Sequence, residues 1–245
     1  MYAFKYAQVG SVDDAVKAAG AADDAKYLAG GMTLLPTMKQ RLASPSDLVD
    51  LSGVSQIKGI RKDGNNIVVG AMTTHAEVAA SADVKSAIPA LASLADGIGD
   101  PQVRNRGTIG GSVANADPAA DYPAAVVGLG ATVHTNKRTI GGDQFFTEMF
   151  ETALEEGELI TAISFPIPQK AAYMKFPNPA SRYAIVGVMV AQAADGVRVA
   201  VTGAGPSVFR QGEMETALKS NFSADAVKGV KVSANGLNAD IHAGA

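Results

Sequence analysis

The sequence predicts an α+β fold, on three observations. A strand, a helix and a second strand read as a β-α-β unit over roughly the first fifty residues. Asp63-Gly64-Asn65-Asn66 reads as a hairpin turn between two apolar runs. Ala194-Asp195-Gly196 reads as another hairpin turn much later in the chain, between Ile185–Ala191 and Val197–Thr202.

The elements follow in order. Ser11 is the expected cap of a helix with Asp13 and Asp14 in its first turn. Residues 26–29 read as a short strand running into Gly30-Gly31. Residues 34–42 suit a helix, with Pro36 tolerated in its first turn, and residues 47–51 form the next strand. A second region begins with Ile57–Arg61 and returns through the hairpin into Ile67–Gly70. Thr74 is the expected cap of a helix reaching Ala80, and Ile88–Ile98 reads as an Ala-rich helix. Asp117–Pro123 opens a further helix with two acids and two prolines at its start. Ala131–Ile140 and Leu159–Pro166 read as strands. A third region begins near Gln169, with a strand at Ala172–Phe176, the second hairpin and a helix at Glu213–Ser220. Asn238–Ala245 reads as the start of another helix without an end signal, so the native polypeptide is expected to continue.

The 245 residues suffice for one large domain or for two or three lobes with cores of their own. Hydrophobic residues at 47% and charged residues at 18% describe an ordinary globular composition. The net charge of −3 speaks against a nucleic-acid partner held on a basic surface. The chain has no cysteine, so it holds no thiolate-bound Fe–S cluster, Cys-zinc site or disulfide of its own. His75, His134 and His242 show no metal-ligand spacing, and no protein-held metal is expected. Residues 1–6 are not a signal peptide, and the apolar runs at residues 122–133 and 183–194 are too short for a membrane span. The expected location is the cytoplasm, where the sequon Asn221-Phe222-Ser223 is a chance match.

Two Gly-Gly pairs carry the most chemistry. One lies in Ala29-Gly30-Gly31-Met32-Thr33-Leu34, the other in Thr108-Ile109-Gly110-Gly111-Ser112. Each reads as a turn that sets residues without a Cβ beside a hydroxyl, so backbone N–H groups approach an anion unhindered. Either alone is equally a tight connection needing φ > 0. Two together suit the pyrophosphate of a dinucleotide, clasped from two sides. The usual fingerprints are absent: Gly203-Ala204-Gly205-Pro206 lacks a third Gly, and no Walker-type loop occurs. Asp117 and Asp121 are open to two readings, as helix caps or as acceptors for ribose or ribityl hydroxyls. By themselves Lys175 and Tyr183 read as plain surface residues on strands, the usual case for an isolated Lys, and His75 reads as a structural residue near a helix start rather than a ligand or base. No spacing supports hydrolytic chemistry.

These motifs occur in company. Asp100-Pro101-Gln102-Val103-Arg104-Asn105 leads into the second pair, and Ala116-Asp117-Pro118-Ala119-Ala120-Asp121-Tyr122-Pro123 follows it. Val133-His134-Thr135, Phe145-Phe146, Glu158-Leu159-Ile160, Lys175-Phe176, residues 182–187 and Gly203–Pro206 come later. In order and spacing they resemble the FAD-binding medium subunit of molybdenum hydroxylases, a family that includes carbon monoxide dehydrogenase and xanthine dehydrogenase. The resemblance implies the vanillyl-alcohol-oxidase-type FAD fold: an FAD-binding domain at 1–168, with lobes of about 1–53 and 54–168, and a C-terminal sheet-and-helix lobe at 169–245. It implies that Ala29–Leu34 and Thr108–Ser112 wrap the FAD pyrophosphate. Asp121 matches an FAD-contacting acid, Ile160 and Lys175 match residues beside the isoalloxazine, and Tyr183 matches an aromatic near its face. Ile98 stands where some members have an aromatic, and Met32 where others have a polar residue.

The resemblance further implies an oxidoreductase subunit that takes electrons from the [2Fe–2S] clusters of a small subunit onto FAD. It passes them to an external acceptor, while a large subunit holds the molybdenum cofactor, in a dimer of heterotrimers. Lys175 is expected to stabilise negative charge on the reduced flavin, and Asp121 to retain FAD through a hydroxyl. The alternatives are a stand-alone FAD-dependent reductase of the same fold and a cofactor-free scaffold subunit.

Overall fold

Three main sheets, met in chain order, organise the computed structural model, which describes residues 1–239, 241, 243 and 244. The first is parallel, in the order β1-β3-β2, from β1 (Lys5–Gln8), β2 (Ala25–Leu28) and β3 (Asp47–Asp50). Helices α1 (Val12–Gly20) and α2 (Leu34–Lys39) make the connections. Ser11 caps α1 as expected, its Oγ accepting from the Asp14 N–H at 3.1 Å. Helix α2 stops three residues before the expected Leu42. Arg41 takes a left-handed backbone, φ 62°, and the N–H groups of Arg41 and Leu42 return to the carbonyls of Met38 and Thr37. This is a Schellman end built without glycine, so the sequence carried no stop signal for it. Leu51 likewise leaves the predicted strand, because Asp50 Oδ1 accepts the Ser52 N–H at 2.8 Å and turns the chain.

The second sheet begins with the hairpin of β4 (Ile60–Asp63) and β5 (Asn66–Gly70). Six helices follow: α3 (His75–Ala80), α4 (Ala82–Ala87), α5 (Pro89–Asp96), α6 (Pro101–Arg104), α7 (Ile109–Asn115) and α8 (Tyr122–Gly128). Thr74 caps α3 in a full capping box with Glu77. The predicted strand at Ala131–Ile140 is instead the hairpin of β6 (Thr132–Thr135) and β7 (Thr139–Gly141). Thr135 Oγ1 accepts the N–H groups of Lys137 and Arg138 and forces the turn. A short α9 (Gly142–Phe145) and the pair β8 (Phe146–Glu148) and β9 (Glu151–Thr152) precede β10 (Ile160–Pro166). Strand β10 then inserts between β5 and β6, giving the order β4-β5-β10-β6-β7. Its Ile163 and Phe165 are fully buried with Ile88, Leu91, Val113, Tyr122 and Val126 in one core.

The third sheet is antiparallel in chain order: β11 (Lys170–Pro177), β12 (Ala184–Ala193), β13 (Gly196–Thr202) and β14 (Phe209–Arg210). Helices α10 (Gly212–Ser220) and α11 (Ala224–Val227) follow it. Helix α8 packs on β12 and β13, and α5 on β11. Met189 and Ala191 of β12 thereby join the core of the second sheet. The helix start read at Asn238–Ala245 falls in part on Asp240, His242 and Ala245, outside the described residues. Asn238 is not helical: its Nδ2 donates to the Gly205 carbonyl at 2.8 Å.

Candidate cofactor-binding site

A cleft of about 500 Å³ opens where the three sheets meet. Its size suits a cofactor. The first Gly-Gly pair forms one end. Strand β2 stops at Leu28, Gly31 turns the chain at φ 73°, and α2 begins at Leu34. The N–H groups of Gly31, Met32, Thr33 and Leu34 have no acceptor among the described residues. Four consecutive unused donors at the start of a helix fit an anionic diphosphate, as that group requires. Gly30 is demanded by space: a Cβ there would lie 2.1 Å from the Arg106 carbonyl oxygen. The loop therefore rests directly on the backbone that leads into the second pair.

The second pair is not a turn, which corrects the reading of two like loops. Gly110 and Gly111 lie in the first turn of α7, capped by Thr108, whose Oγ1 accepts the Gly111 N–H at 3.2 Å. The N–H groups of Ile109, Gly110 and Ser112 donate to the carbonyls of Thr73, Ala71 and Thr108. Its backbone donors are thus spent inside the chain, and Gly110 serves close packing: a Cβ there would lie 2.6 Å from that of Ala71. Thr108, Gly110, Gly111 and Ser112 line the cleft, while the fully buried Ile109 faces the core and does not.

Asp117 and Asp121 both reach the cleft, and neither side chain caps α8. Asp117 Oδ1 accepts the Ala119 N–H at 2.9 Å. Asp121 accepts from Tyr173 Oη on Oδ1 at 2.5 Å and from Lys175 Nζ on Oδ2 at 3.0 Å. Lys175 Nζ also donates to the carbonyls of Gly97 and Arg182, each at 2.9 Å. All three of its protons are used, and Lys175 stands behind Asp121 rather than on the cleft wall. Burial raises the Asp121 pKa, while the Lys175 charge and the Tyr173 hydroxyl oppose that rise. Ile160, Ile98 and the half-exposed Tyr183 complete this end.

Three further residues belong to the site although the linear pattern does not mark them as such. His75, the first residue of α3, lines the cleft; burial above all, then the charge of Arg104, lowers its pKa to about 4. Its Nδ1 and the Tyr122 hydroxyl are buried without a partner among the described residues, the rings tilted at 5.4 Å. Glu158 also lines the cleft; its bonds to Arg138 lead in holding it at about 2. Tyr173 is the third, and its only signal was sharing a strand face with Lys175, two residues on. Among the described residues no group of three or more acidic or His side chains is placed to hold a metal. No helix there is long and apolar enough to cross a membrane.

Free donors at a loop-to-helix junction, facing a cleft with a buried charged cluster at its other end, define a protein that binds a phosphate-bearing cofactor. Residues 2–168 match the family described as FAD binding domain in molybdopterin dehydrogenase, and the chain belongs to that family. It is an FAD-binding medium subunit of the molybdenum hydroxylase kind, an oxidoreductase subunit whose cofactor is FAD. The chain is 36% identical to the carbon monoxide dehydrogenase medium chain of Hydrogenophaga pseudoflava, over 92% of this chain and 83% of that one. It is 33% identical to the glyceraldehyde dehydrogenase medium chain of Sulfolobus acidocaldarius, over 86% and 79%. The solved structure of quinoline 2-oxidoreductase from Pseudomonas putida 86 is similar at a TM-score of 0.89 and 27% identity, over 99% of this chain and 90% of that one.

Proposed function

We propose that this chain is the electron-transfer subunit of a molybdenum-containing hydroxylase. It accepts electrons from the [2Fe–2S] clusters of a small partner subunit and passes them to an external acceptor. The molybdenum cofactor and the clusters lie on partner subunits, and a chain without cysteine has no thiolates for such clusters. The observation that carries this reading is the run of unused N–H donors at residues 31–34, in a cleft inside an FAD-binding family match. FAD supplies the redox chemistry when bound; the protein supplies placement and electrostatics.

In this reading Ala29–Leu34 hold the pyrophosphate through backbone N–H groups, and Thr108 and Ser112 add hydroxyls. Ile109, Gly110 and Gly111 seat that second segment. Asp121 accepts from a flavin-side hydroxyl. Ile160 and Tyr183 flank the ring, and Lys175 acts on it from behind Asp121. The fold is of the vanillyl-alcohol-oxidase type, with FAD held by residues 1–168 and residues 169–245 as the C-terminal lobe. The assembly is a dimer of heterotrimers with a large molybdenum subunit, located in the cytoplasm. The relatives are named for carbon monoxide, glyceraldehyde and quinoline, three unlike molecules, which favours a substrate choice made outside this subunit.

The test is an absorption spectrum of the protein purified with its partner subunits, the cofactor then being released by heat and identified. Flavin bands and released FAD are expected, and reduction of the clusters should bleach the flavin. A colourless protein that refuses added FAD would overturn the reading.

A further inference from the structure

We propose that Tyr173 is a positioning residue of the cofactor site, fixing the Asp121 carboxylate in one orientation toward the cleft jointly with Lys175. The proposal rests on the reading of that cleft as the FAD site.

Asp121 is 4% exposed and lines the cleft at the start of α8. Tyr173 and Lys175 are two residues apart on β11 and share its inward face. One grips Oδ1 at 2.5 Å and the other Oδ2 at 3.0 Å. A carboxylate held at both oxygens from one rigid strand cannot turn about its own axis. The division of labour differs, however. Lys175 also binds the carbonyls of Gly97 and Arg182 and ties three segments together. The Tyr173 hydroxyl has Asp121 as its one hydrogen-bond partner among the described residues.

The site is cut to receive that hydroxyl. Gly187 of β12 lies beside it, and a Cβ at 187 would stand 2.3 Å from Tyr173 Oη and 3.0 Å from Thr202 Cγ2. The Gly187 backbone has no positive φ, so the glycine serves space rather than conformation. A missing side chain on one strand thus lets a phenol on the next reach an acid at the start of a helix. The groups facing Asp121 are Tyr122, the first residue of α8, Tyr173 and Lys175 on β11, and Tyr183 from the loop after β11. The first and last feel its charge without bonding to it. Removing the Tyr173 hydroxyl takes away one of the two donors that oppose the effect of burial on Asp121.

Two variants test this. Tyr173→Phe keeps the ring and deletes the hydroxyl. Gly187→Ala keeps the hydroxyl and drives it off Asp121. In the full chain without cofactor, a carbon-13 titration of the Asp121 carboxyl should move to higher pH in both; an unmoved titration would overturn the proposal. In the FAD-loaded protein, each should weaken FAD binding roughly tenfold, as expected for a lost hydrogen bond to a charged group. In an Asp121→Ala background, where no side-chain acceptor for the hydroxyl remains, the same changes should have no further effect on FAD affinity. An equal loss in both backgrounds would mean that Tyr173 acts by packing alone, and would also overturn it. Failure of the unaltered protein to bind FAD would sink the reading of the cleft, while the carboxyl titration still decides what holds Asp121.

Discussion

At Gly30 the absence of one methyl group decides how two segments meet. A Cβ there would be 2.1 Å from the Arg106 carbonyl oxygen, and both sides of that contact are backbone. Gly30→Ala must therefore part the first loop from residues 106–107. We expect a loss of roughly 3 kcal/mol in thermal unfolding and a collapse of FAD affinity in a titration. Gly10→Ala, where nothing lies within 4 Å, should leave both unchanged. His75 makes a different prediction. Its folded pKa of about 4 lies below the ordinary 6.5, so folding favours the neutral ring. That stability is complete above about pH 6.5 and is lost as pH falls toward 4. That difference corresponds to roughly 3 kcal/mol. In urea unfolding across this range, His75→Gln should lose less stability than the unaltered chain by about that amount.

Among the elements, those whose signals lie within one turn were legible and those that end on longer-range geometry were not. The Ser11 and Thr74 caps and both hairpins stand where the sequence placed them. Each depends on residues two to four apart. The early stop of α2 depends on Arg41 accepting a left-handed conformation that its side chain disfavours. Arg41→Gly should relieve that strain and stabilise the protein by about 0.5 kcal/mol, the larger entropy of glycine in the unfolded chain offsetting part of the gain. Chemical denaturation would measure it, and a destabilised variant would place more weight on the packing of Arg41 over the Tyr2 ring. Glycines usually mark turns, so the second Gly-Gly pair by itself predicts one. Its helix is decided by the Thr108 cap and by the close seat of Gly110 on Ala71, 39 residues away in the chain.

Across the whole molecule, Lys175 joins parts that the sequence keeps far apart. Its Nζ bonds tie the end of α5 at Gly97, the start of α8 at Asp121 and the loop at Arg182. Each of these segments borders the cleft. Lys175→Met would remove all three bonds and leave the buried Asp121 without its cation, at a cost of roughly 3 kcal/mol. The thermal midpoint of the protein should drop accordingly. The flavin midpoint potential should fall as well, because a positive charge behind the cofactor site is removed. A protein that loses stability with an unchanged potential would confine Lys175 to holding the segments together.

The residues of both glycine motifs, the two acids and the distant Lys175 and Tyr183 were all present in the linear pattern, and with them the family, the cofactor and the mixed fold. Composition alone removed thiolate-bound clusters from this chain. Which atoms face one another was another matter. That the first loop's donors find no acceptor among the described residues while the second spends its own, that Lys175 stands behind Asp121, and that His75 and Tyr173 belong to the site follow from contacts between residues some 30 to 80 positions apart. A cap or hairpin is selected by hydrogen bonds within a few residues, so the sequence states it locally. The grip of β11 on an acid at the start of α8 exists only once the third sheet has closed on α5 and α8.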